Sequence, residues 1–201
     1  MKISSLNRIL LFLTGFLAAY QIAIGIDSMD STSITAYTIA FGVILVAGLL
    51  LIILGFEVLD LPIVVIISTI IPLTISLGLV WQHLASFRTM YLVFTIVSFL
   101  AVILTRSISM KNNLPVIVIA ITHGVAGLTI FLLPIIVTFQ GQMKLPFALV
   151  GIGGALIGIE GLLLSYLKTG KPIVSRDTVM KNFPIMFLLT TALFVAGFNF
   201  G

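Results

Sequence analysis

The sequence predicts an all-α membrane protein: one domain, residues 1–201, folded as a bundle of seven transmembrane helices. Three observations carry this. Of the 201 residues, 60% are hydrophobic and 8% charged; a soluble domain carries roughly 25% charged residues, so this chain cannot clothe itself in polar surface. Its mean hydropathy is +1.32. Its apolar residues fall into seven runs near the length of about 20 residues that crosses a bilayer. The runs are continuous and do not alternate, which selects helices over the strands of a barrel.

The runs cover about 8–26, 34–56, 61–83, 89–105, 114–139, 145–167 and 183–200. The first follows Lys2 and Arg8, as the apolar region of a signal peptide would. At about 18 residues it outruns such a region, and no A-x-A cleavage site follows, so it reads as a span. The third, fifth, sixth and seventh open on Leu61-Pro62, Leu114-Pro115, Leu145-Pro146 and Phe183-Pro184. Proline suits a first turn, where its missing N–H costs nothing. Pro72 and Pro134 fall inside the third and fifth runs, where each should kink the helix and free a carbonyl. A faint internal echo is also present. Thr35-Ala-Tyr37 and Thr89-Met-Tyr91 open the second and fourth runs, and each is followed by a Leu-Pro step. A duplicated hairpin is one way transporters are built.

Seven spans place the connections alternately on two sides. Lys2, Arg8, Arg106, Lys111, Lys168, Lys171, Arg176 and Lys181 fall on one side, Arg88 and Lys144 on the other, which accounts for all 10 basic residues. The positive-inside rule then puts the N-terminus in the cytoplasm and the C-terminus outside. A prokaryotic-type inner membrane, or a thylakoid-like one, is the expected location. Lys168, Lys171, Arg176 and Lys181 form a cytoplasmic basic loop, either a solvated topogenic segment or a contact for anionic headgroups. Tyr20, Tyr37, Trp81 and Tyr91 lie toward the outer boundary as interfacial anchors, with Gln21 and Asn199 at the same level.

Small residues recur at helical spacing in three runs: Gly15, Ala19 and Ala23; Ala120, Gly124 and Gly127; Gly154, Gly158 and Gly161. Lipid supplies no hydrophobic drive between helices, so close backbone approach must supply the packing. These stripes predict that the first, fifth and sixth helices are interior or form an oligomer seam. The expected partners are the bilayer and either other membrane subunits or further copies of this chain, not nucleic acid.

Two ionisable side chains lie deep in apolar runs, His123 and Glu160. His123 sits about nine residues into its helix, roughly 13 Å at 1.5 Å per residue, and Glu160 about seven residues, roughly 11 Å, from the same face. They are therefore nearly level, on helices joined by a short connection. Burial in a bilayer disfavours the charged form of either group, and an ion pair would favour it. Intramembrane ionisable residues are costly and are functional candidates. Three roles compete: a proton-binding or relay pair, a structural tie between helices, or a neutral or snorkelling Glu160. Glu160 lies roughly 130° around its helix from the glycine stripe, on the side of Gly153, so contact with His123 depends on helix rotation.

The sequence offers little for other chemistry, and an intramembrane enzyme is a distant third reading. The chain has no cysteine, hence no disulfide, thiolate metal site or cysteine nucleophile. His83 and His123 lie at different depths and do not share one haem, which argues against a b-type cytochrome and leaves only a single axial ligand open. No H-E-x-x-H, G-x-S-x-G or glycine-rich phosphate loop occurs, and no lysine lies within the seventh run to form a retinal Schiff base. No metal, cofactor or enzymatic activity is expected. The expected function is a small integral membrane transporter, or a transporter subunit, with a polar centre at His123 and Glu160. The alternative is a non-catalytic accessory subunit of a larger membrane complex.

Overall fold

The structure is a computed structural model that describes residues 3–26, 29–108, 113–167 and 174–201. Its helices are α1 (Ser5–Ile24), α2 (Ser31–Leu54), α3 (Pro62–His83), α4 (Arg88–Ser107), α5 (Leu114–Phe139), α6 (Ala148–Leu167) and α7 (Arg176–Phe200). All seven are long and apolar enough to cross a membrane. Helix is the state in which a lipid-embedded segment satisfies its own backbone. The ends are set by local chemistry. The side chains of Ser4, Asp30 and Ser175 accept from backbone N–H groups of α1, α2 and α7. Gly25 and Gly55 close α1 and α2 at φ of 72° and 86°, where a side chain would be strained. The Asp30 carboxyl is held below the ordinary value of 3.8, first by the Thr32 N–H, against some desolvation, and further by the Arg88 charge.

Pro62 and Pro115 stand in the first turns of α3 and α5. Pro146 sits in a short 3-10 turn, Leu145–Phe147, just ahead of α6. Phe183-Pro184 does not open α7. That helix starts at Arg176 under the Ser175 cap, and Pro184 is interior, where it deprives the Met180 carbonyl of its donor. Arg176 and Lys181 therefore belong to the first two turns of α7 and not to a loop. Lys168 and Lys171 lie outside the described residues. Arg176 instead pairs with Asp60, in the turn between α2 and α3. Both side chains are half exposed, so the pair adds at most about 1 kcal/mol.

Helix α1 packs on α2 and α7, α2 on α3, α3 on α5, α5 on α6, and α6 on α7. This is a closed ring of six. Helix α4 lies outside it, against α3 and α5, and turns Val93, Ile96, Val97, Leu100 and Leu104 outward. The α2–α3 and α4–α5 hairpins thus occupy unlike places in the bundle, α4 lying outside the ring. Inside the ring, at the end where α7 finishes, Tyr37, Phe147 and Phe198 pack together, tilted at 4.4 Å between ring centroids for Tyr37–Phe198 and edge-on at 6.1 Å for Phe147–Phe198. Tyr37 is therefore core and not an interfacial anchor, and Tyr91 is buried with its hydroxyl against Thr129. Gln21 and Asn199 are not simply interfacial either. Their amides bond to each other across α1 and α7, at 3.0 and 3.3 Å, and Gln21 is buried.

The small-residue stripes are only partly packed. Ala23 is exposed, Ala19 half-buried, and a Cβ on Gly15 would meet Leu45 at an ordinary 3.5 Å. A Cβ on Gly124, Gly127 or Gly158 would meet nothing within 4 Å. Close approach occurs where Gly151 and, from the predicted stripe, Gly154 of α6 meet α5: a Cβ would lie 2.6 Å from the Phe131 carbonyl oxygen and from the Ile130 side chain, respectively. It recurs at Gly153 against Phe194 and at Gly197 against Val150, both between α6 and α7. Their neighbours Ile130, Phe131 and Ile135 flank Pro134, so α6 presses its barest surface against the stretch of α5 that holds the interior proline.

Candidate functional site

Hydroxyls within the bundle are mostly satisfied on their own helices. Thr14, Thr69, Ser76, Thr105, Thr122, Thr138 and Thr191 each donate to the carbonyl four residues back. This is the usual answer to a polar group in an apolar surround. Against that background a few buried polar atoms lack a partner among the described residues: Tyr37 Oη, His83 Nε2, Arg106 Nε, Thr190 Oγ1 and Glu160 Oε1. Of their residues, Glu160 combines a full ionisable charge with near-complete burial, at 5% exposure.

Glu160 lies seven residues after Gly153 on α6, nearly two turns on, so both share one face. Gly153 abuts Phe194 and the Thr190 carbonyl of α7. Glu160 accordingly faces α7 too, where it lines a cavity of about 170 Å³ with Leu163, Val174, Thr178, Val179, Asn182, Phe183 and Met186. The wall is apolar apart from Glu160, Thr178 and Asn182. Both neutral polar neighbours bond locally: Asn182 Nδ2 donates one N–H to the Thr178 carbonyl at 2.8 Å, and the Thr178 and Ser175 hydroxyls bond each other at 2.8 Å. Neither reaches the carboxylate. Since α7 begins at Arg176, the first turns of α7, with Val174 just before them, form one wall of this chamber.

His123 is placed differently. It is half-buried, its Nδ1 lies 3.1 Å from the Ile119 carbonyl, and its ring edge is the nearest group to Gly161, 3.8 Å from where a Cβ would stand. Gly161 follows Glu160 directly, so the two side chains are level, as their depths predict. They nevertheless lie on different sides of α6, about 100° apart, and neither bonds the other. The pair expected from sequence thus separates into a histidine between α5 and α6 and a carboxylate between α6 and α7. The residues that build the chamber from the α7 side, Thr178, Asn182, Phe183 and Met186, carry no motif. The missed signal was the Ser175-Arg-Asp-Thr178 start of α7, a serine cap three residues before the threonine that answers it. Among the described residues no group of three His, Cys, Asp or Glu side chains gathers to hold a metal ion.

The class that fold and site define is a bundle of seven helices long and apolar enough to span a membrane, with the buried Glu160 carboxylate, unpartnered at Oε1 among the described residues, beside an apolar cavity. Comparison with family models, with curated proteins and with solved structures gave no match to this chain.

Proposed function

We propose that this chain is a small integral membrane transporter, or a transporter subunit, in which Glu160 binds the ion that is carried or coupled. The observation that carries the proposal is the Glu160 carboxylate, 5% exposed and unpartnered at Oε1, on the wall of a cavity between two helices. A structural role would give such a group a partner, because an unsatisfied buried polar atom costs about 1–3 kcal/mol. Here neither Thr178 nor Asn182 bonds it. His123 is a packing residue in this proposal. The distribution of basic residues, eight of 10 on the N-terminal side, supports a cytoplasmic N-terminus and an outer C-terminus in a prokaryotic-type inner membrane. Proton flux into proteoliposomes, followed by an internal pH dye under an imposed gradient, tests the proposal. Glu160→Gln is expected to reduce flux to the background of empty liposomes, and His123→Ala to leave it near wild type. Unchanged flux in Glu160→Gln would overturn it.

A second observation favours an accessory role. Gly124, Gly127 and Gly158 leave a bare strip on α5 and α6 with nothing over it, a surface on which a helix of another membrane subunit would pack closely. Native mass analysis after gentle detergent extraction is then expected to show a hetero-complex, lost in Gly124→Trp. A lone chain under every extraction condition sinks this reading.

A further inference from the structure

We infer that the cavity between α6 and α7 binds a small organic cation with an apolar body, an alkylammonium or pyridinium type, its charge on Glu160. The inference rests on the proposal that Glu160 is the ion-binding group, and it names the class of ion. The chamber of about 170 Å³ is far larger than a proton requires. An apolar cavity of about 150 Å³ accepts benzene, so a six- or seven-atom ring fits. The wall is apolar apart from Glu160, Thr178 and Asn182, so most of its surface offers a water no partner. A hard metal ion takes about six oxygen ligands, more than these three side chains supply. What remains is a ligand whose body buries against Leu163, Val179, Phe183 and Met186 and whose positive charge meets Glu160 Oε1. The Phe183 ring and the Met186 thioether are suited to such a ligand, because an aromatic face attracts a cation and a thioether is soft and adaptable.

The test compares N-methylpyridinium with toluene, which has its shape without its charge, on the intact chain in lipid nanodiscs. Equilibrium dialysis of labelled N-methylpyridinium is expected to find one saturable site per chain that equimolar toluene does not clear. Glu160→Gln should weaken binding by about 30-fold or more, the usual effect of removing one member of a buried charge pair. Leu163→Trp, which fills the chamber and keeps the carboxylate, should weaken it comparably. No saturable binding by the wild-type chain, full displacement by toluene, or full binding by Glu160→Gln would each overturn the inference. Because the toluene comparison uses the wild-type chain, it decides even if both variants fail to fold. Glu160-dependent proton flux without N-methylpyridinium binding overturns this inference and leaves the transporter proposal standing. Binding without flux of either protons or labelled N-methylpyridinium into proteoliposomes supports the site and overturns transport.

Discussion

Gly151→Val and Gly154→Val are each expected to destabilise the bundle by about 3 kcal/mol, while Gly124→Ala and Gly158→Ala leave it unchanged or raise it by up to about 1 kcal/mol. The four glycines look alike in sequence, all in apolar helices and three of them in the predicted stripes. What separates them is the neighbour that an added carbon would meet. At Gly151 it is the backbone oxygen of Phe131, at 2.6 Å, and at Gly154 the side chain of Ile130 at 2.6 Å with its backbone carbon at 2.9 Å. Backbone cannot swing aside as a long side chain can, so α6 must move off α5. At Gly124 and Gly158 nothing lies within 4 Å, and alanine brings better helix propensity with no clash. Thermal unfolding in detergent reads the contrast, at about 2–4 °C per kcal/mol for a chain of this size. Should Gly124→Ala cost as much as Gly154→Val, the bare strip is filled in the membrane, and the accessory-subunit reading gains.

The same contrast marks what could be read without a structure. The number of helices and their order came through because each apolar run must satisfy its backbone alone in lipid, and that is a local property. The starts of α3 and α5 came through because proline acts locally as well. The start of α7 did not, since Phe183-Pro184 imitates a first turn while Ser175 provides the actual cap. Which face of a helix meets which neighbour was beyond reach, because a run rich in Leu, Ile and Val carries little periodic signal. Tyr37 is the clearest case: its position near a helix end suggests an interfacial anchor, yet Phe198 of α7 and the bare backbone of Gly78 enclose it. Glu160 lies between these extremes. Its depth and its place on the Gly153 side were legible from helical geometry. That α7 and not α5 covers that side was not, and this is what separates it from His123.

Glu160→Leu is expected to raise stability by about 1–3 kcal/mol, the penalty of the unpartnered oxygen it removes, and to abolish flux together with N-methylpyridinium binding. Leucine has nearly the volume of glutamate and matches the apolar wall of Leu163, Val179, Phe183 and Met186. A buried charge held by good partners behaves the other way, because removing one member strands the other at a cost of about 3–5 kcal/mol. The sign of the change in melting temperature therefore discriminates the two roles that the sequence leaves open for this residue. A rise means that the carboxylate is kept at the expense of stability, as groups retained for function commonly are. A fall of comparable size means that Glu160 ties α6 to a partner that its surroundings do not reveal, and the cavity beside it is incidental. Glu160→Gln separates charge from shape within the same experiment. It keeps the polar burden without the charge, so it should forfeit flux and cation binding while gaining none of the stability that leucine confers.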